Sequence, residues 1–445
     1  MTQRPVNLDA MVGLVRAGDI AALVEHARML ESADLADVLA QLDDSERLAV
    51  VRALPPELSS QALIQMPESA HAEDTLAALA PEQAAEIVDE LEDDDAADLL
   101  GELQPEDVER ILRQVEDRAD VDALLRYDED TAGGIMTTHL VTVNPDNTAG
   151  EALDAIRRQA GAVEDFYTVF VTDDGRHLRG ILPLPDLVLS PPSRRVSEFM
   201  EAPDIIVPPD MDQEDVARLM GKYDLTTVPV VDGSGRLLGR VTFDDVIDVV
   251  EEETTEDILQ FGGTSADEGL VAGWRDAVRS RLPWLFVNLI TAFLAASVVY
   301  SHQDLIRRLT TLAVLMPIIA GMGGNAGTQA LAVTVRRIAL GLVPRGQFLG
   351  VIGKEALVGA TNGLATGFIV ALVALFLGEG PMLGAVVFLA MAGNLLVAGC
   401  VGAIIPILLE RRGVDPAVAS SIFVTTFTDV CGFFLLLWLA GSLLL

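Results

Sequence analysis

Beyond Arg281, charge interrupts the sequence so rarely that five long apolar runs remain, at 282–303, 309–335, 356–378, 380–409 and 416–445. Each is long enough for a helix to cross roughly 30 Å of hydrocarbon. Nothing constrains the chain more: a transmembrane α domain of five helices is expected over 281–445, at about those positions. Glycines recur along the runs, notably Gly359, Gly363, Gly367, Gly393 and Gly399. Helices in lipid gain no hydrophobic drive toward one another, so close approach over small residues is what packs them.

Lys and Arg set the orientation. With the N-terminus inside, the inner loops carry Arg275, Arg279, Arg281, Arg336, Arg337, Arg345, Lys354, Arg411 and Arg412, and the outer ones only Arg307 and Arg308. Cytoplasmic loops hold the basic excess, so the N-terminal part is expected in the cytoplasm and, after an odd number of spans, the C-terminus outside. The expectation is a multi-pass protein of the plasma membrane, with the lipid bilayer as partner. Residues 1–20 lack the basic start and apolar block of a secretory signal, which leaves the first 280 residues cytoplasmic.

Those 280 residues are strongly acidic. Of the chain's 67 Asp and Glu residues only Asp304, Glu355, Glu379, Glu410, Asp415 and Asp429 lie beyond them, against nine of its 30 Lys and Arg. A field of that sign repels phosphate, so nucleic acid and anionic lipid are excluded as partners. Divalent cations are the natural counterpart, although a solvated acidic surface also serves solubility. The two cysteines, Cys400 and Cys431, lie inside apolar runs and read as small packing residues.

The cytoplasmic part itself divides. Up to residue 130, short runs with Leu, Ala and Val at helical spacing are broken by Pro55-Pro56, Pro81-Glu82 and Pro105-Glu106. Proline in a first helical turn followed by acidic residues marks a helix start, so 1–130 is expected as an acidic α-superhelical N domain. From 131 to 250 the sequence repeats itself at about sixty residues. Val169-Phe170-Val171-Thr172-Asp173-Asp174-Gly175 aligns with Val228-Pro229-Val230-Val231-Asp232-Gly233-Ser234, Leu178-Arg179-Gly180-Ile181 with Leu238-Gly239-Arg240-Val241, and Ile135-Met136-Thr137 with Phe199-Met200-Glu201. Each unit, 131–192 and 193–250, reads as strand, helix, strand, tight Asp/Gly turn, strand, helix. An acidic connecting helix is expected over 251–280.

The paired β-α-β-β-α pattern resembles a tandem CBS module, an α/β fold that binds adenosine nucleotides or acts as a regulatory hinge. In that family a Gly-x-x-Ser/Thr-x-x-Asp run sets a hydroxyl and a carboxylate on the ribose. The second unit keeps it as Gly239, Thr242 and Asp245; the first keeps Gly180 and Asp186 but has Pro183 in place of the hydroxyl. A nucleotide there loses a hydrogen bond. With Tyr167, these are the residues the resemblance implies for ATP; a purely mechanical pair is the alternative.

Asp429 is the single charge in the fifth run. A carboxylate at mid-membrane costs roughly 2.5–3.5 kcal/mol on insertion scales, so it marks an ion or proton route, or else is a protonated packing residue.

The whole order resembles the MgtE family of magnesium channels and transporters. Tyr127-Asp128-Glu129-Asp130-Thr131-Ala132-Gly133-Gly134-Ile135-Met136 is similar to that family's approach to the CBS pair. Gly323-Gly324-Asn325-Ala326-Gly327-Thr328-Gln329-Ala330 looks like its glycine-rich second span, and Gly413-Val414-Asp415-Pro416-Ala417 with Thr428-Asp429-Val430 like its fifth. The fold implied is a multi-domain membrane protein: α-superhelical N domain, α/β tandem CBS pair, five-helix membrane domain. The function implied is a Mg²⁺ channel or transporter for divalent-cation uptake, closed by intracellular Mg²⁺.

Physical chemistry agrees. Mg²⁺ gives up water reluctantly, so a pore does better to hold the hydrated ion through oxygens than to strip it. Asp429 supplies charge; Thr425, one turn earlier, offers a carbonyl or hydroxyl; Asn325 and Gln329 orient water or bond between helices. Ser421 stands where the family can carry Asn, and Thr328 replaces a second Asn, which leaves the choice among Mg²⁺, Co²⁺, Mn²⁺ and Ni²⁺ open. One carboxylate per chain is thin for a divalent ion, so a C₂ homodimer with two copies of Asp429 is expected.

On the stretch that closes the second CBS unit and leads toward the membrane, Asp245, Asp248 and Glu252 fall near one face, as do Glu253, Glu256 and Asp257. Like charges so spaced repel unless a cation bridges them. Further clusters are Asp94, Asp95 and Asp98 in the N domain, Asp212, Glu214 and Asp224 in the second CBS unit, and Asp415 at the mouth of the fifth span. The resemblance implies that such carboxylates hold intracellular Mg²⁺, and that its loss frees the connecting helix and opens the path. Each is also compatible with a solvated surface.

Other classes fit less well. A CBS-bearing chloride channel needs many more spans and an anion-friendly pore. A membrane-anchored enzyme needs a catalytic constellation, yet His26, His71, His139, His177 and His302 are scattered and no Walker loop occurs. The chain is therefore not expected to be an enzyme. The serious rival is proton-coupled transport of another divalent metal, Co²⁺ or Mn²⁺, through a titrating Asp429.

Overall fold

The computed structural model describes residues 8–17, 19–67, 70–116, 118–159, 166–264, 274–343, 348–412, 414–416 and 421–444. The chain forms two compact units, Met1–Glu252 and Glu253–Leu445.

The first unit opens with a series of short helices, from Leu8–Arg16 to Arg118–Leu124. Helices of this length are marginal alone, so packing has to stabilise them. Local signals set where each starts: Pro56, Pro81 and Pro105 occupy the first turn after an extended residue. Asp43 and Glu46 form a reciprocal capping box, with Asp43 Oδ1 accepting from the Glu46 N–H at 2.9 Å. Leu35, Leu39, Leu63, Leu76, Leu100, Ile111 and Leu124 are buried in one continuous core.

Two small sheets follow. In the first, Thr142–Val143 pairs in parallel with Thr168–Thr172, which pairs antiparallel with Leu178–Pro183. In the second, Thr227–Val231 pairs antiparallel with Leu237–Thr242, and Val207 bridges in parallel to Val230. The repeats are not separate bodies. Thr137, in the leading segment of the first repeat, pairs with Arg240 of the second, while Glu201, in the leading segment of the second, pairs with Ile181 of the first. Each leading segment thus closes the other repeat's sheet. Gly180 and Gly239 permit these crossings: a methyl at Gly180 would lie 2.7 Å from the Glu201 carbonyl oxygen, and one at Gly239 2.6 Å from that of Thr137.

The acidic helix spans Phe243–Gly262, so it is the last helix of the second repeat prolonged beyond the end of the CBS pair. Residues 265–273 of the expected connecting helix lie outside the described residues, as do 417–420 of the expected fifth span and Gly413 and Ala417 of its opening motif.

The second unit carries five helices long and apolar enough to span, Trp274–Ser301, Thr311–Ala339, Phe348–Phe376, Pro381–Glu410 and Ser421–Leu443, with mean hydropathy between 1.2 and 2.2 over their most apolar windows. Gly359, Gly363 and Gly367 of the third lie against Leu395, Ala392 and Phe388 of the fourth, the close approach expected of small residues. The third helix begins at Phe348, ahead of the uncharged run, and takes in Lys354 and Glu355. Glu355 is 5% exposed, and its backbone presses on Gly399 of the fourth span. Helix continuity follows backbone hydrogen bonding, which a charge does not interrupt. The second span likewise runs past Arg336 and Arg337, whose long stems let the charge reach the interface. The first span holds Phe286, Leu289, Ile290 and Phe293 exposed, a lipid-compatible face.

Candidate functional site

In the first unit, carboxylates of the helix Asp93–Gly101 meet those at the start of Phe243–Gly262. Asp94 is 6% exposed, and burial first, then Asp245, Asp95 and Asp93, push its carboxyl well above the usual range. Burial and Asp245 push Asp95 up to about 7. Asp98, open to solvent along one side, is also pushed up to about 7, by lost hydration and by Asp95 and Asp245. Asp245 is raised by burial and by Asp244 and Asp248, against lowering hydrogen bonds from Thr242; Asp248 is raised by burial, Glu251 and Asp244. So the structure brings Asp94, Asp95, Asp98, Asp245 and Asp248 into one seam. At neutral pH these groups share protons or need a cation.

The ligand atoms are spread out. Among the described residues, the one set of three His, Cys or carboxylate ligand atoms within 4.8 Å of one another is His71, Glu73 and Asp74, where His71 Nδ1 already pairs with Glu73 Oε1 at 2.9 Å. No three seam carboxylates bring ligand atoms that close among the described residues.

Further neighbours of the seam escape a reading by spacing. Asp93, 4% exposed, accepts from Thr137 Oγ1 at 2.6 Å and from the Thr138 N–H at 3.0 Å, tying the N domain to the CBS pair. Arg240, 3% exposed, lowers the pKa of Glu92 against the desolvation that raises it, and His139 adds to that lowering. An acidic run facing a strand that carries a buried arginine is the sequence signal that could have found them.

Other expected ligands go elsewhere. Asp212 caps the helix Gln213–Tyr223, accepting from the Glu214 N–H at 2.9 Å, and Asp224 ends it in a left-handed conformation with φ 53°. Both are exposed, and Glu214 is half-buried. Of the nucleotide candidates, Tyr167 and Asp186 are exposed, and Gly180 and Gly239 face backbone of the exchanged segments. Thr242 Oγ1 donates to Asp245 Oδ2, so the ribose pair of the second repeat is engaged with itself.

In the second unit, Glu253, Glu256 and Asp257 are half-buried, and Gln260 Nε2 donates to Glu256 Oε1. Burial raises the Asp257 pKa, Asp415 raises it further and Arg336 lowers it. Phe261 packs with Leu331 and Val424. The end of the connecting helix is therefore seated on the second and fifth spans, beside Asp415.

Asp429 is half-buried on the wall of a cavity of about 950 Å³ between the first, second and fifth spans. Ala295 and Tyr300 of the first, Met316 and Pro317 of the second and Phe433 of the fifth line it, and Asp429 is its sole carboxylate among the described residues. Thr425 lies one turn away with its methyl against Gly324. Its carbonyl accepts Thr428 Oγ1 at 3.0 Å besides the helical N–H of Asp429, and its own hydroxyl donates to the Ser421 carbonyl at 2.6 Å. That leaves the hydroxyl oxygen, and not the carbonyl, as what Thr425 can offer an ion. Ser421 is half-buried at the start of the helix. Asn325 and Gln329 do not line the cavity: both stand exposed, one turn apart, on one face of the second span.

Comparisons with known proteins converge. Residues 316–439 match a family model described as MgtE, divalent cation transporter; 30–130 match the MgtE intracellular N domain; 132–191 and 196–252 match CBS domains. A magnesium transporter MgtE of Thermus thermophilus is 36% identical over 97% of both chains. One of Enterococcus faecalis is 36% identical over 71% of this chain and 69% of its own. A solved structure described as the cytosolic domain of the Mg²⁺ channel MgtE in complex with ATP is similar at 37% identity and TM-score 0.51, over 54% of this chain and 99% of that one.

Proposed function

This chain belongs to the MgtE family of magnesium transporters, and we propose that it admits Mg²⁺ through a path at which Asp429 is the pore carboxylate. It works as a membrane transporter of divalent cations, with its CBS pair and N domain as regulators. The observation that carries the pore reading is Asp429 itself, the lone carboxylate on the wall of a roomy cavity among membrane helices whose other polar lining is Tyr300, Gln303 and Arg307. A hydrated cation meets a charge there and keeps its water, while the low-dielectric surround strengthens the attraction.

Gating follows from the seam. Intracellular Mg²⁺ neutralises Asp94, Asp95, Asp98, Asp245 and Asp248, and further ions serve Glu253, Glu256, Asp257 and Asp415 beside the path. When Mg²⁺ falls, repulsion separates the carboxylates and releases the connecting helix, so the ion shifts a population by binding the closed state more tightly. Asp212, Glu214 and Asp224 are peripheral in this scheme. ATP, present in the cytosolic relative, is assigned to the CBS pair through Tyr167, Gly180, Asp186, Gly239, Thr242 and Asp245. Asp245 then serves both nucleotide and seam.

Two copies complete the path. Asn325 and Gln329 would face lipid in a single chain, and an amide face in hydrocarbon needs cover. A two-fold axis along that face covers it and gathers both copies of Asp429. Orientation follows the basic residues, with the N-terminal unit in the cytoplasm and the C-terminus outside, in the plasma membrane.

The test is Mg²⁺ uptake into proteoliposomes by wild type and Asp429→Ala at equal incorporated protein. Removing a unit charge from a site of this kind forfeits several kcal/mol of ion stabilisation, and each ~1.4 kcal/mol is tenfold, so uptake is expected to fall by about a hundredfold or more. Uptake at the wild-type rate would overturn the pore reading.

A further inference from the structure

Asn394 lies in the fourth span with none of its surface exposed. Its Nδ2 donates to the Ile319 carbonyl of the second span at 3.0 Å. That carbonyl also receives its own helix's N–H, so the amide is a second donor on it. On its other flank the amide rests against the fifth span, where a methyl at Gly432 would lie 2.7 Å from Nδ2 and 3.1 Å from Oδ1. A methyl at Gly323 would collide with Nδ2 outright. Thr428, fully buried, closes the same notch: its Cβ would be 3.2 Å from that methyl.

The placement matters because of what adjoins it. Gly432 is one turn beyond Asp429, Thr428 is its chain neighbour, and Gly323 is two residues before Asn325. The flat amide thus spaces the two helices that carry the pore groups, at the depth of Asp429. Packing alone does not call for an amide. Asn394 Oδ1 has no hydrogen-bond partner among the described residues, and such a buried acceptor costs roughly 1–3 kcal/mol, which an apolar side chain of similar volume avoids.

We infer that Asn394 is a positioning residue that determines cation specificity: bonded to the second span and wedged against the fifth, it fixes the separation of the helices that wall the cavity around Asp429. It acts through Asp429 on the fifth span and through the cavity wall of the second, and does not touch the ion. The inference rests on the reading of Asp429 as the pore carboxylate.

The experiment compares Mg²⁺ and Co²⁺ uptake in proteoliposomes of full-length wild type, Asn394→Leu and Asn394→Ser. Asn394→Leu keeps the branching at Cγ and removes the amide at the cost of added bulk; Asn394→Ser relieves the glycine contacts, so it reports even if the bulkier variant does not reach the membrane. The readout is the ratio of the two fluxes, which loss of folded protein does not move. The ratio is expected to change by about fivefold or more in the variants that insert. A ratio within about twofold of wild type, with both fluxes falling together or neither falling, overturns the proposal and leaves Asn394 a packing residue. Asp429→Ala run alongside separates the two claims, because retained flux there removes the pore reading, and lost flux with an unmoved Asn394 ratio removes only this one.

Discussion

Asp95 and Asp98 each hold a carboxyl whose pKa is pushed up to about 7 by burial among other carboxylates, far above its value of 3.8 in the absence of those neighbours. The sign is fixed: a carboxyl with a raised folded-state pKa favours the assembled seam fully at pH below about 4, and that contribution is lost as pH rises through about 7. In Mg²⁺-free buffer, the protection of the helix Asp93–Gly101 against amide exchange, taken relative to the intrinsic rate at each pH, should therefore fall between pH 5 and 8 in the full-length protein, and saturating Mg²⁺ should hold it level. Protection that does not change with pH in the absence of Mg²⁺ would contradict the seam. Arg240 offers a second check at this scale. Removing a buried partner of carboxylates typically costs about 3–5 kcal/mol, so Arg240→Met should lower the unfolding midpoint of the cytoplasmic unit by that equivalent. Legibility is uneven among residues. Asp429 and Asp245 stand out because one breaks an apolar run and the other completes a motif. Asp93 and Asp94 are adjacent in an acidic run, and nothing in one dimension says that Asp93 ties down Thr137 while Asp94 faces the seam. Asn394 escapes a reading by charge and glycine spacing, although an amide inside the apolar run 380–409 is itself a signal of interhelical bonding.

Among elements, the helix Phe243–Gly262 matters most, since it starts in the last CBS repeat and ends against the second and fifth spans. Its acidic face is readable from i, i+3, i+4 spacing; that it is one continuous helix is not, because helix boundaries depend on tertiary seating more than on composition. Asp257 is crowded by Asp415 and relieved by Arg336. Asp257→Asn removes both the repulsion and one cation ligand, so closure should become markedly less dependent on Mg²⁺. Uptake measured across a series of internal Mg²⁺ concentrations checks this, and an unchanged closing curve would rule out a part for Asp257. The spans show the same division between pattern and context. Five are evident from hydropathy, yet the third takes in Lys354 and Glu355 because a glycine on its neighbour leaves room for the backbone there. The repeats show the converse: a sixty-residue period marks a tandem pair, whereas the exchange of their leading segments is a long-range pairing that no local pattern encodes.

For the whole molecule the account needs two copies. The exposed Asn325 and Gln329 face should lie at the two-fold axis, so Asn325→Cys, in a chain with Cys400→Ala and Cys431→Ala, should form a covalent dimer on mild oxidation in membranes. A cysteine that stays monomeric there while the protein elutes as a dimer would move the axis elsewhere. Charge asymmetry and the positive-inside pattern convey the broad plan, cations met by an acidic cytoplasmic half and a membrane path; which helix faces meet depends on the side-chain notches that only three dimensions display. The central claim is that Asp429 serves a Mg²⁺ channel and not a titrating proton-coupled carrier. The most direct measurement is the reversal potential of currents from reconstituted protein under opposed Mg²⁺ and proton gradients. The account predicts a potential that follows the Mg²⁺ gradient, ignores pH and disappears with its current in Asp429→Ala. A potential that shifts with the proton gradient, or a current that survives that substitution, would contradict it.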